Sequence, residues 1–170
     1  MPPAKAEATA ATAEAAIQIW PERSRVAARA LIAKYGAPSR FDAETLAWTA
    51  CGPWSRIAVH RDAARNFLGL RGRDVVEESI RYDVPDDKLA ELKRFDGRLA
   101  ADKSTGELTS RAETEELNFL ALNLADDIVV GYRTASQARD FRRRTAEFAK
   151  AGKKSAYMDS IIFPLRAPGR

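Results

Sequence analysis

Residues 46–62 read LAWTACGPWSRIAVHRD, and the reading of this stretch decides the fold. It holds two of the chain's three Trp, its only Cys and its only His, arranged around a Gly-Pro step. Before Cys51-Gly52-Pro53-Trp54, the residues Leu46, Trp48 and Ala50 alternate with Thr45, Ala47 and Thr49. After it, Ile57, Val59 and Arg61 alternate with Arg56, Ala58 and His60. Two runs of period two around a Gly-Pro turn predict a β-hairpin. Leu46, Trp48, Ile57 and Val59 then face the core, while Thr49, Arg56 and His60 face the other side. Trp54, beside the turn, is expected to be the exposed tryptophan.

Working outward, Trp20-Pro21 opens a helix over residues 21–35. Pro at the first turn loses no bond, because its N–H would be unpaired there in any case. Val26, Leu31 and Tyr35 recur at helical spacing, and Gly36 with Pro38 ends the helix. Downstream, two Gly in residues 65–72 predict a loop, and residues 74–84 are read as a strand with Val76, Ile80 and Tyr82 on one face, although Glu77-Glu78 would also suit a short helix. Pro85-Asp86-Asp87 starts a helix with Leu89, Leu92 and Phe95 as its stripe and Gly97 as its end. Residues 98–103 and 107–111 flank Ser104-Thr105-Gly106 and predict a second hairpin. Helix–hairpin thus occurs twice. The expected fold class is α+β: a small antiparallel sheet built from two αββ units and packed by helices.

The chain closes with a helical pair. Ser110-x-x-Glu113 reads as a capping box for a helix carrying Leu117, Leu120, Ala121, Leu124 and Ile128, apolar over most of its circumference and so expected to be central. Thr134-x-x-Gln137 reads as a second capping box, for a helix with Ala138, Phe141, Thr145 and Phe148 along one face that stops near Gly152. Residues 156–165 predict a strand or a docked tail. Residues 1–18, rich in Ala, are expected to be a frayed or disordered tail, residues 19–165 one domain, and residues 166–170 a loose end.

Composition narrows the function. At 170 residues, 45% of them hydrophobic and 31% charged, the chain has the make-up of one soluble domain. A single Cys forms no internal disulfide. No secretory leader and no apolar run near the ~20 residues of a membrane span is seen, so a cytoplasmic protein without a membrane partner is expected. Residues 133–170 hold ten Lys and Arg against three carboxylates, a net of +7, whereas the remainder carries −3. That asymmetry permits an acidic partner or nucleic acid.

The motifs resemble a family of uncharacterised bacterial proteins. The likeness lies in Lys34-Tyr35-Gly36-x-Pro38, in Trp48 with Gly52-Pro53-Trp54-x-Arg56, in Val84-Pro85-x-x-Lys88, in the run Asn118-Phe119-Leu120-Ala121-Leu122-Asn123-Leu124-Ala125-x-Asp127-Ile128, and in Arg133-Thr134. It spans roughly residues 20–150. The resemblance implies no activity, catalytic residue or cofactor.

The candidate chemistry is sparse. His60 has the titration range of a general base, but Cys51 sits near the turn and His60 at the open end, so no Cys–His pair is expected. One His and one Cys without a zinc motif argue against a metal centre, and no nucleotide-binding glycine motif is present. Asn118, Asn123 and Asp127 in an apolar helix must hydrogen-bond something if buried. They either tie the helix to neighbouring backbone or line a small polar pocket. Trp54 and Arg56, with Trp48, resemble a stacking platform for bases, against which stands the favoured reading of hairpin packing. Arg139, Arg142, Arg143, Lys150 and Lys153 form a basic strip that would bind phosphates or simply be a solvated face. The leading expectation is a non-catalytic binding or accessory protein without cofactor, with a protein or small-molecule partner or a second copy of the chain. The alternatives are a nucleic-acid-binding protein using the basic helix, and an enzyme using His60 or the Asn123/Asp127 face.

Overall fold

A computed structural model of the chain describes residues 9–63 and 72–165. Helices α1 (Ala10–Ile17) and α2 (Glu22–Tyr35) come first. Strands β1 (Arg40–Phe41), β2 (Thr45–Cys51), β3 (Trp54–His60) and β4 (Val76–Arg81) follow. A 3-10 turn (Asp86–Lys88) leads into α3 (Leu89–Phe95), and the hairpin β5 (Ala100–Asp102) and β6 (Glu107–Ala112) succeeds it. The chain then runs through α4 (Glu115–Val129), α5 (Ala135–Lys150) and α6 (Ala156–Asp159). The strands make one antiparallel sheet in the order β1-β2-β3-β4-β6-β5. The fold class is therefore the expected α+β arrangement, with β4 inserted between the two hairpins and a helical pair at the end.

The opening hairpin pairs as its alternation requires. Leu46 faces Val59 and Trp48 faces Ile57, and all four are buried. Trp48 Nε1–H donates to the Gly36 carbonyl at 3.0 Å, which satisfies its one polar atom inside the core. Gly52 takes φ +55, and a Cβ there would stand 3.0 Å from the Tyr35 ring, so the turn needs glycine both for its conformation and for its closeness to α2.

Trp54 departs from the expectation. It is 2% exposed and stacks on Phe119 of α4, with ring centroids 5.1 Å apart. The reason is local. Ala50 adopts φ +50, and the ladder between β2 and β3 skips the Ala50/Ser55 couple. Beyond that irregularity the faces exchange: Ser55 turns outward to donate to Glu107 Oε1 (2.7 Å), and Trp54 turns inward. Unbroken alternation along β3 would instead set Trp54 on the face of Arg56 and His60.

Thr134 and Gln137 form the expected capping box at the start of α5. The cap of α4 is Thr114, whose side chain accepts from the Leu117 N–H; Ser110 is instead a strand residue of β6, opposite Glu78. In α2 the buried face is Ser24, Ala27, Ala28 and Leu31, which leaves Val26 59% exposed. Phe148 on α5 is also exposed. The N-terminal segment is not frayed over residues 10–17. Ala13 and Ile17 are buried, Thr9 caps α1, and Glu14 accepts from Arg29 (2.8 Å to its Nε). Alanines let α1 lie close to α2 while Ile17 and Trp20 supply the apolar anchor that the Ala-rich segment lacks. The remainder of the expected N-terminal tail, most of the expected loop 65–72 and the segment 166–170 lie outside the described residues.

Helix α4 is central, as its composition demands. Every residue from 118 to 125 is buried between the sheet and the layer of α3, α5 and α6. Residues 156–165 dock on it as a short helix and tail. Asp96, at the end of α3, joins the layers by accepting from Arg98 (Nη2, 2.9 Å) and from Arg142 of α5 (2.6 Å). Burial works against that carboxylate, yet the Arg98 hydrogen bonds and the charges of Arg98 and Arg142 hold it below the usual range.

Candidate functional site

The strand reading of residues 74–84 carries an implication for Glu78. Val76, Ile80 and Tyr82 share one face of that strand, and Glu78 has their parity. In the structure Glu78 is 0% exposed, on the face of β4 that meets α4. Its Oε2 accepts from Asn118 Nδ2 at 2.7 Å, and the same amide also donates to the Val76 carbonyl at 3.2 Å.

Glu115, in the first turn of α4, is the neighbour of Glu78 and is itself nearly buried. Its Oε2 accepts from the Tyr35 hydroxyl (2.7 Å) and from Trp54 Nε1–H (2.9 Å), and its Oε1 accepts from Lys34 Nζ. Five elements meet here: the end of α2, the turn end of β3, the middle of β4, and two turns of α4, with β2 supplying Cys51 at the hairpin tip.

Two acids this close in a dry setting do not both ionise. Burial first, and the negative charge of Glu115 second, push Glu78 well above the ordinary carboxylate range. A proton on Glu78 also resolves its hydrogen bonding. Oε2 already has the Asn118 donor, while Oε1 is buried without a partner. Protonated there, Glu78 becomes the donor and Glu115 the acceptor. The same surroundings raise the Tyr35 hydroxyl, through burial and then its bond to Glu115. They raise the Cys51 thiol too, through burial and then the charges of Glu78 and Glu115. Neither is primed as a nucleophile or base.

The linkage has a sign that can be measured. A carboxyl whose pKa rises on folding binds a proton in the native state that the unfolded chain has released. Its contribution to stability is complete below its ordinary value of about 4.5 and is lost as pH climbs toward the raised value. Glu78→Gln keeps a donor toward Glu115 and carries no charge. It is expected to match the parent near pH 4 and to exceed it in stability by a margin that grows through pH 7 to 9, in urea denaturation at each pH. The infrared carbonyl band of a protonated acid should be present in the parent at pH 7 and absent in Glu78→Gln. A parent without that band would show Glu78 to be ionised.

Outside this cluster lies a cleft of about 750 Å³ between α2 and the start of α4. Val26, Ala27, Ala30 and Leu31 make its apolar wall, and Lys34 and the nearly buried Glu115 are among its polar lining. The exposure of Val26 is explained by this cleft. A second hollow, about 420 Å³, lies on the other side of Lys34, over Tyr35, Gly52, Pro53, Phe119 and the docked tail.

The residues singled out from the sequence fall into separate places. Asn118 belongs to the acid cluster, and so does Trp54. Asn123 instead ties down the C-terminal segment: its Nδ2 donates to the carbonyls of Tyr157 (3.0 Å) and Ser160 (2.7 Å), and its Oδ1 accepts from the Ile162 N–H (3.0 Å). Asp127 accepts from Arg133 and from the Tyr157 hydroxyl (3.0 Å). Arg56 and His60 lie on the sheet face away from the helices, each 3.4 Å from a Glu77 oxygen, beside Arg111. His60 lines neither hollow. Cys51 pairs with Trp54 and His60 with Thr45, at opposite ends of the hairpin, roughly 20 Å apart at the usual strand rise.

On α5, Arg139 donates to the Arg94 carbonyl, Arg142 pairs with Asp96 over the Phe95 ring, and Arg143 lies 3.6 Å from Asp140. Lys150 and Lys153 are exposed, Lys153 over the Phe148 ring. Among the described residues no group of three or more His, Cys, Asp or Glu is placed to hold a metal ion. No helix among them is long and apolar enough to cross a membrane.

Fold and site together define the class: an α+β domain whose one-sided antiparallel sheet buries an acid pair beside a surface cleft. Compared with family models, with curated proteins and with solved structures, the chain finds no match in any of the three.

Proposed function

We propose that the protein is a non-catalytic binding module that holds a small molecule in the cleft between α2 and α4. The observation that carries this reading is the cleft itself: an apolar wall of Val26, Ala27, Ala30 and Leu31, with Glu115 in the polar lining. Its volume, about 750 Å³, is in the range of small-molecule sites, which are mostly apolar with a few convergent polar groups. The polar groups of its lining hold one another in place, so they orient a ligand without being primed to react with it. Glu78, its carboxyl held toward the neutral form, is sealed behind them. The basic face of α5 supports a phosphate partner less well, because Arg139 and Arg142 are already engaged with α3 and its end.

The test is a ligand screen by thermal shift, repeated on Ala30→Trp, which fills the cleft from an exposed position of α2. Compounds that raise the melting temperature of the parent should lose their effect in Ala30→Trp. Binding that survives the filled cleft would place the ligand elsewhere and overturn the reading.

A further inference from the structure

Lys34 carries its ammonium group to a place built from three others. Nζ donates to Glu115 Oε1 and lies 5.2 Å from the ring centroids of both Tyr35 and Phe119. A carboxylate with two aromatic faces around one cation is the arrangement by which proteins recognise ammonium groups, because ring faces are negative and do not demand a hydrogen-bond geometry. Apart from Lys34, the walls are fixed. Phe119 is backed by the stacked Trp54, and the other Glu115 oxygen is held by Trp54 and Tyr35.

Lys34 itself is not fixed in the same way. Its side chain is 49% exposed against 8% for Glu115, and it lines both hollows, standing between them. Lys34, half in water, is solvated when it swings aside, but its departure leaves the buried Glu115 carboxylate without a counter-charge until another cation takes its place. With Lys34 displaced, the cage opens onto the cleft with its carboxylate already oriented and its rings already in place.

We propose that this cage is a binding site for an organic cation, an alkylammonium or quaternary ammonium head whose apolar part lies along Val26, Ala30 and Leu31, and that Lys34 is a built-in occupant which such a ligand displaces. The assignment rests on the cleft reading above and names its ligand class. The lining points the same way. Glu22, Glu113, Glu115 and Glu116 face Arg23 and Lys34, and Arg23 pairs with Glu113 at 3.1 Å. An anionic head meets excess negative charge there. A cation replaces Lys34 without leaving Glu115 unpaired, whereas a neutral head leaves that buried carboxylate without its counter-charge.

The experiment uses n-hexylammonium as probe, with n-hexanol and hexanoate as equally long controls, in calorimetric titrations of the full chain. The indole N–H resonance of Trp54 reports occupancy, because that proton is donated to Glu115. Lys34→Met removes the resident ammonium and keeps the apolar stem. It is expected to bind n-hexylammonium about tenfold more tightly than the parent, to shift the Trp54 resonance, and to bind both controls at least tenfold more weakly. Phe119→Leu in that background should weaken the cation by several fold and leave the controls unchanged. Lys34→Gln replaces Lys34→Met should the latter fail to fold. If hexanol and hexylammonium bind equally and both are lost in Ala30→Trp, the cleft reading stands and the cage is overturned. A folded Lys34 variant that binds none of the three probes overturns the cage as well, and the ligand screen then judges the cleft on its own.

Discussion

Trp54→Ala is expected to cost about 3–5 kcal/mol of unfolding free energy, the range for deleting a large aromatic from a packed core. The indole is 2% exposed, so its removal leaves a cavity between the hairpin tip and α4. Phe119 loses its stacking partner, and Glu115 loses the N–H that holds Oε2. The two contributions can be parted. Trp54→Phe keeps an aromatic face against Phe119 but removes the donor, and should cost about 1.5–3 kcal/mol, the value of a hydrogen bond to a charged group. Urea denaturation measures both. A loss of under ~1 kcal/mol for Trp54→Ala, the size of an ordinary surface change, would mean that the indole does not sit between β3 and α4.

Glu115→Ala is expected to be nearly as damaging, at about 3–5 kcal/mol, the usual result of removing one partner from a buried charged network. Little of this comes from Lys34, which is half in water and finds solvent when its partner goes. The larger share comes from Tyr35 and Trp54, whose donors pointed at one carboxylate oxygen, and from the proton of Glu78, which loses its acceptor. The substitution also carries a signature that simple unfolding lacks. With Glu115 gone, one of the two causes that raise Glu78 disappears and only burial remains, so the protonated-acid infrared band should weaken at neutral pH. The two sites should be non-additive. In a double-mutant cycle with Glu78→Gln, a coupling indistinguishable from zero would show that the two carboxyls do not share a proton.

Both predictions concern residues whose importance was unevenly visible beforehand. Trp54 was visible as a rare residue at a turn, but its direction was not. Alternation along β3 groups it with Arg56 and His60, and that alternation fails where the ladder breaks at the Ala50/Ser55 couple. Nothing in an Ala codon position signals a left-handed backbone, which Gly adopts freely and other residues take at a cost of about 1 kcal/mol or more. Glu78 was visible in principle, as a charge on the inward parity of a strand between Val76 and Ile80. Glu115 was not, because an acidic residue in the first turn of a helix already has a sufficient explanation in the helix dipole.

The chain by itself determined much of its local structure. Period-two alternation set the opening hairpin and its register, the Thr134/Gln137 box and the glycine stops set the helix limits, and an almost unbroken apolar circumference made α4 the central helix. Each of these depends on residues near in sequence and on burial alone. The tertiary structure decided what the polar minority does. Glu78 meets Glu115, Lys34 finds two rings, and Asn123 holds a tail thirty-odd residues away, because α2, β4 and α4 are brought together by packing that no single segment encodes. Side chains that act in pairs across elements acquire their charge state and their partners only when the elements dock. The physical reason is that desolvation and Coulomb interaction depend on distance in space, while a sequence records only distance along the chain.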